Sequence, residues 1–349
     1  MRILEACNPD QGLAQALQQV LLHGIPMDSR NGPVLRFPTP VTTVWTNPLQ
    51  RVSFSPIRDA NPFLHLMEAM WMLAGNNDIA TVGFYAKQML AYSDDGETQN
   101  AAYGYRWRKH FGHDQLNEVV QILKKDPNSR QAVVQIWDHE DLTKSTKDKA
   151  CNLIALFEIL RDQVNMTVYN RSNDIVWGCY GANAVHFSFL HEYVANRVGF
   201  PVGTYYQVSN NLHLYTEFDI TKRFVEKGGD GQYQLTSEYA ASADIYHSSV
   251  VSHPLGADYP NFEEAVQTLV GHYDQCEHIG FNDVPWLRYV AEPMRHSYAL
   301  WKSGDRATAY NRILEAKVAF NAAYQCENDW LLAARLWMER RLNKDIKNT

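Results

Sequence analysis

The run PFLHLMEAMWMLAG, residues 62–75, limits what this chain can fold into more than any other segment. Asn61 before Pro62 predicts a helix start, because the side chain can cap the free N–H groups and proline at the first position loses no hydrogen bond. Gly75 predicts its end. Between them the helix is apolar almost all round, so it has no face for solvent and needs neighbours on every side. Only a chain with a sizeable core can provide them. This one has 349 residues, enough for one large domain or two, and 45% of them are apolar, including 14 Phe, 19 Tyr and 9 Trp. Glu68 stands inside that helix. A lone buried carboxylate is costly, so it needs a reason to be there.

The rest of the composition excludes whole classes. A net charge of −7 advertises neither a groove for polymeric nucleic acid nor a membrane-binding face. The five cysteines, Cys7, Cys151, Cys179, Cys276 and Cys326, are odd in number, widely spaced and free of any CxxC, which excludes a disulfide framework or zinc knuckle and points to free thiols. The start, MRILEACNPDQG, lacks the apolar core of a signal peptide, and no run of about 18 apolar residues could span a membrane. The chain reads as cytoplasmic. His191-Glu192 opens like HExxH, but Ala195 stands where the second ligand belongs, so no metal site is expected. No GxGxxG or Walker sequence occurs.

Periodicity predicts a helix over residues 1–24, short extended pieces between Pro26 and Pro48, a helix over 114–125 and one over 182–199. QAVVQIW, LIALFEIL, VNMTVYN and VGTYYQV read as strands, and the chain turns helical from about residue 260. Without regular βαβ alternation the expected class is α+β. There is no internal repeat. The expected division is a core over 1–258 and a helical C-terminal extension over 259–349 packed on it. The transition lies within 220–260, where a GGDG turn and several Ser, Asp and His residues occur.

Three places could carry chemistry. Cys151, in DKACNL, is either a small buried hydrophobe or a nucleophile, with Lys147 and Lys149 nearby to favour a thiolate; the local signature of Cys–His hydrolases is missing. NRSNDIVWGCYGAN, residues 170–183, packs polar groups between a strand and a helix, which suits either a ligand site or a polar loop. His213 and Tyr215, two apart on a strand, point to one side and can both bond a hydroxyl.

Taken together, SRNG, HLMEAMWMLAG, AYGYRW, DPNSRQ, the Cys151 run, RSND with Gly178, Asn183 at a helix start and HLY resemble the thymidylate synthase family over Ser29 to Tyr215. The resemblance implies a mixed sheet with surrounding helices and a homodimer packed through its sheets. It also implies one-carbon transfer from 5,10-methylenetetrahydrofolate to carbon 5 of a pyrimidine deoxynucleotide. Thiolate addition to carbon 6 makes carbon 5 nucleophilic, which explains the need for a cysteine. Cys151 matches the nucleophile, Glu68 the glutamate that organises water and proton transfer, and Tyr103 the tyrosine implicated in removing the carbon-5 proton. Arg30, Arg171 and Ser172 match phosphate-binding residues, and Arg130 the arginine that reaches the partner's nucleotide. Asn183 matches the amide that reads the base edge, and His213 and Tyr215 the pair that binds the sugar hydroxyl. Asp174 matches the carboxylate that binds the folate ring.

Four departures bear on the reaction. Asn152 follows the cysteine where the family usually has histidine. Gln131 follows Arg130 where a second arginine is usual. The family's folate-side tryptophan is missing from MLAYSDDGETQNAAYG, leaving Met89 or Tyr92 nearest. The family's short apolar C-terminal peptide is replaced by a helical extension ending KDIKNT. Hydride transfer, which makes a methyl group, requires tightly held folate and excluded water. The departures weaken both, so water addition and a hydroxymethyl product are expected, with dUMP favoured because asparagine stands at 183. Thymidylate synthase proper, a dCMP hydroxymethylase and an inactive nucleotide-binding relative are the alternatives. The last would be expected to lose Cys151, Glu68, Arg171 and Asn183 first.

Overall fold

Strand β1 (Arg2–Ala6) precedes helix α1 (Pro9–His23) in the computed structural model, which describes all residues except 230, 238, 240–245, 247–249, 282 and 349, and omits the side chains of 344–348. The helix expected over 1–24 is therefore shorter. Asn8 caps it by accepting from the Gln11 N–H at 3.0 Å, with Pro9 first in the helix. Ahead of this cap, Leu4 and Ala6 alternate with exposed residues, and the segment pairs in parallel with strand β4. The same Asn-Pro signal that marks residues 61–62 was present at residues 8–9.

The extended pieces are β2 (Ile25–Ser29), β3 (Gly32–Arg36) and β4 (Val41–Trp45). Helix α2 (Pro62–Leu73) is buried at every position except Leu64, and Asn61 Oδ1 accepts from Phe63 N at 3.1 Å and Leu64 N at 3.3 Å. Helix α3 (Ile79–Tyr85), the single turn α4 (Tyr103–Tyr105) and helix α5 (Gln115–Lys125) come next. Strand β5 covers only Val133–Gln135, because the N–H groups of Ile136 and Trp137 both turn to the Leu153 carbonyl. Strands β6 (Asn152–Leu160), β7 (Gln163–Asn170) and β8 (Asn173–Asp174), helix α6 (Asn183–Val198), and strands β9 (Val202–Ser209) and β10 (Leu212–Tyr215) complete the core.

A six-stranded mixed sheet has the order β1-β4-β9-β7-β6-β5, and a four-stranded sheet the order β2-β3-β10-β8. With helices packed against the sheets, the fold is α+β. One face of the large sheet carries the core. On the other, Val44, Tyr206, Thr167, Leu156 and Val133 form a row across five strands, each at least partly exposed.

The C-terminal helices are α7 (Phe262–Gly271), α8 (Glu292–Ser303), α9 (Arg306–Tyr324) and α10 (Asp329–Asn348). Asp305 caps α9 by accepting from Thr308 N at 3.1 Å. They pack on α2: the Phe63 ring lies 4.9 Å from Tyr298 and 5.4 Å from Trp337, and Arg340 and Arg341 both reach Asp59 at 3.0 Å. His191 and Glu192 are core residues. The His191 Nε2 meets the Val164 carbonyl at 2.6 Å, and Glu192 pairs with Arg51 and accepts from Leu255 N at 2.8 Å. Part of the expected 220–260 transition, including Asp230 of the GGDG turn and residues 240–245 and 247–249, lies outside the described residues, as does Thr349. Among the described residues no helix is long and apolar enough to cross a membrane.

Candidate active site

Cys151 and Arg171 are twenty positions apart in sequence and meet because β6 and β7 form a hairpin. Its two-residue turn, Arg161-Asp162, takes positive φ at both positions, which matches the twist of the flanking strands. Counting back from that turn pairs Asn152 with Asn170, so the two residues just beyond, Cys151 and Arg171, sit side by side. The Arg171 N–H donates to the Cys151 carbonyl at 2.9 Å, and its Nη2 lies 3.8 Å from Sγ. Arg171 Nε is anchored to the Ala150 carbonyl at 2.8 Å. Burial pushes the Cys151 thiol up, while Arg171 and Arg30 pull it down and Asp148 pushes it up again. Burial wins. The helpful cations are these arginines rather than Lys147 and Lys149, and Lys147 Nζ is bonded to the Ser93 carbonyl at 3.1 Å.

Behind the thiol runs a line of amides. Asn170 Nδ2 donates to Asn152 Oδ1, Asn152 Nδ2 to Asn183 Oδ1 at 3.3 Å, Asn183 Nδ2 to Asn173 Oδ1 at 3.0 Å, and Asn173 Nδ2 to Ser209 Oγ at 3.1 Å. Asn183 is thus held at both ends. It keeps one Oδ1 lone pair and one Nδ2 hydrogen for a ligand. Asn152, the replacement beside the cysteine, holds its Oδ1 end, and Asn173 its Nδ2 end.

Two cavities flank this line. One, of about 220 Å³, is lined by Arg30, Arg171, Ser172, His213 and Tyr215, with Arg36 among them. His213 and Tyr215 point the same way from β10, their rings 4.9 Å apart at 87°. The other, of about 230 Å³, is lined by Glu68, Tyr103, Asn183, Met89 and Tyr92, and also by Asp148 and His186. The Tyr103 hydroxyl accepts from the Cys151 N–H at 3.3 Å, and burial pushes its own ionisation up. Asp174 sits at the start of the helical turn that leads to α6. Burial raises its carboxyl to about 6, against the Trp177 N–H and the Arg58 charge. Trp177, half exposed, lies over Arg58 at 4.8 Å. Arg130 is exposed in the turn before β5 and lines neither cavity. A larger hollow of about 620 Å³, near Trp286 and Tyr324, contains none of the candidate residues. Among the described residues the one trio of metal-type donors within 4.8 Å is His278, Glu292 and His296 in the C-terminal helices; Arg312 already pairs with that carboxylate at 2.9 Å.

Among the lining residues that sequence reasoning missed are Arg36, His186 and Asp148. Arg36 is the cross-strand partner of His213 and its Nε has no hydrogen-bond partner. His186 had a readable signal. It lies one helical turn after Asn183, so the two side chains share a face of α6. Its Nε2 is 3.3 Å from Glu68 Oε2, with the histidine 3% and the glutamate 8% exposed.

The family model for thymidylate synthase matches residues 16–247. The chain belongs to the thymidylate synthase family. As a member of the thymidylate synthase family it is a one-carbon transferase, and every candidate residue from Arg30 to Tyr215 lies inside the matched segment. A deoxyuridylate hydroxymethyltransferase of Pseudomonas phage M6 is 42% identical over 98% of this chain and 95% of its own length, so the two share the C-terminal helices. A deoxyuridylate hydroxymethyltransferase of Bacillus phage SP01 is 35% identical over 62% of this chain and 60% of its own length. The crystal structure of thymidylate synthase from T4 phage superposes with a TM-score of 0.48 at 19% identity, covering 60% of this chain and 78% of that one.

Proposed function

We propose that this protein is a deoxyuridylate hydroxymethyltransferase, joining the one-carbon unit of 5,10-methylenetetrahydrofolate to carbon 5 of dUMP and finishing it with water. The observation that carries this reading is the 42% identity to the phage M6 enzyme over 98% of the chain. The residues that line the two cavities support it. Arg30, Arg171, Ser172 and the newly seen Arg36 face the phosphate, with Arg130 arriving from a partner subunit. His213 and Tyr215 take the sugar hydroxyl. Asn183 keeps one donor and one acceptor, the complement of the O4 acceptor and N3 donor of uracil.

Cys151 adds to carbon 6, and the resulting enolate attacks the folate's methylene. Asp174 holds the folate ring, and Met89 and Tyr92 line the cavity that also contains Asn183 and Glu68. Tyr103 takes part in removal of the carbon-5 proton, after which tetrahydrofolate departs and leaves an exocyclic methylene on the base. With Met89 and Tyr92 where a tryptophan would hold the folate, water reaches that carbon before hydride does. The protein acts as a homodimer through the open sheet face of Val44, Tyr206, Leu156 and Val133. The five free cysteines suit a reducing cytoplasm.

Incubation with methylenetetrahydrofolate and either dUMP or dCMP, followed by weighing of the product nucleotide, tests all of this. A hydroxymethyl product from dUMP without dihydrofolate is expected. A methyl product formed in step with dihydrofolate would make the protein a thymidylate synthase, and faster carbon-5 tritium release from dCMP would overturn the base assignment. Cys151→Ser should abolish tritium release. Asn183→Asp should shift preference towards dCMP.

A further inference from the structure

Helix α6 carries two polar side chains into the cavity beside Cys151, Asn183 and His186, and only the first has an assigned task. His186 is expensive to keep where it is: it is 3% exposed, and its Nε2 has no hydrogen-bond partner within the protein. Glu68 Oε2 lies 3.3 Å from it, close enough for an ion pair but without hydrogen-bond geometry. Glu68 is itself a carboxylate inside the apolar helix α2, and it too lines the cavity. A buried histidine with an unpartnered Nε2 and a buried carboxylate thus face one space, from two helices, next to the tyrosine whose hydroxyl touches the Cys151 backbone. A water bound between them would satisfy both.

We infer that His186 and Glu68 together hold and deprotonate the water that completes the hydroxymethyl group, making His186 a further catalytic residue of this chain. The inference rests on the hydroxymethyl reading above. In the step, the water oxygen bonds to the exocyclic methylene carbon while its proton passes to the His186–Glu68 pair. The methylene's electron pair moves onto carbon 5 as an enolate. The enolate re-forms the carbon 5–carbon 6 double bond and expels the Cys151 thiolate. Water is consumed, the thiolate returns, and no oxidant or reductant takes part. A general base of this kind contributes about 10²–10⁴-fold to a proton-transfer step.

The test measures two events on [5-³H]dUMP in one tube: tritium release, which precedes the water step, and hydroxymethyl product, which follows it. In the native protein the two are formed one to one. In His186→Gln and His186→Ala the ratio of product to released tritium should fall at least tenfold, and added 2-mercaptoethanol should trap the exocyclic methylene as a thioether. Imidazole should restore the ratio in His186→Ala. A ratio that stays at one in a variant, with tritium and product falling together, would show a merely structural role and overturn the inference alone. So would a variant whose lost activity tracks lost dUMP binding while the ratio is unchanged. A methyl product from the native protein would overturn both the inference and the reading beneath it.

Discussion

Asp174 shows how a single residue's surroundings set a measurable dependence. Burial outweighs its backbone donors and the Arg58 charge, so its carboxyl titrates at about 6 rather than the ordinary 3.8. The folate ring offers N–H donors, and only the ionised carboxylate accepts them. If Asp174 holds the folate ring, folate binding should be full well above pH 6 and be lost as the pH falls through it. The folate KM should be flat above neutrality and rise about tenfold per pH unit below 6, while the dUMP KM does not follow it. Asp174→Asn should raise the folate KM and flatten that profile. A steep profile in the variant would assign the titration elsewhere. The identities of Cys151, Asp174 and Asn183 were legible because each falls within a local motif. Arg36 was not, since it gains its meaning from His213 across the strand pair, and for His186 the helical spacing from Asn183 could mark the shared face but not the facing Glu68.

At the scale of elements, the hairpin turn at Arg161-Asp162 and the close crossing of α4 over α2 position the site. Gly104 belongs to the second. A methyl group placed there would overlap the backbone of Met72, which cannot yield as a flexible side chain could. Gly104→Ala should destabilise the protein by about 2–3 kcal/mol in urea unfolding and displace Tyr103, lowering tritium release more than dUMP binding. Unchanged stability would mean that α4 can lift from α2 without cost. The boundaries of α2 were legible from Asn61-Pro62 and Gly75. The same reasoning applied to Asn8-Pro9 would have separated β1 from α1; the apolar spacing that continued across the cap hid it. The shortness of β5 was not legible, because it depends on Ile136 and Trp137 sharing the Leu153 carbonyl.

For the whole molecule, the question is how Arg130 reaches a nucleotide. It is exposed in a turn and lines neither cavity of its own subunit, while the large sheet presents an apolar row on its open face. If that face forms an isologous dimer, each site borrows the partner's arginine. Arg130→Glu and Cys151→Ser should each be nearly inactive alone. Co-refolded as an equal mixture, half of the dimers would carry both changes and keep one intact site of two, giving about 25% of native activity. No recovery on mixing, with dimers verified by ultracentrifugation, would place Arg130 outside the partner's site. The C-terminal helices enter at this scale too, since Tyr298 and Trp337 close over Phe63 and supply part of the burial that α2 requires.

By itself the sequence determined the α+β class, the burial of α2 and the family that the chain resembles. These follow from spacing, capping and motif, which act over a few residues at a time. Tertiary structure alone decided that burial outweighs Arg171 at the Cys151 thiol and that Asn152 and Asn173 hold the Asn183 amide. It also decided that His186 faces Glu68. Each of these is a balance between groups far apart in the chain, and its sign depends on distance and burial, which no one-dimensional pattern contains.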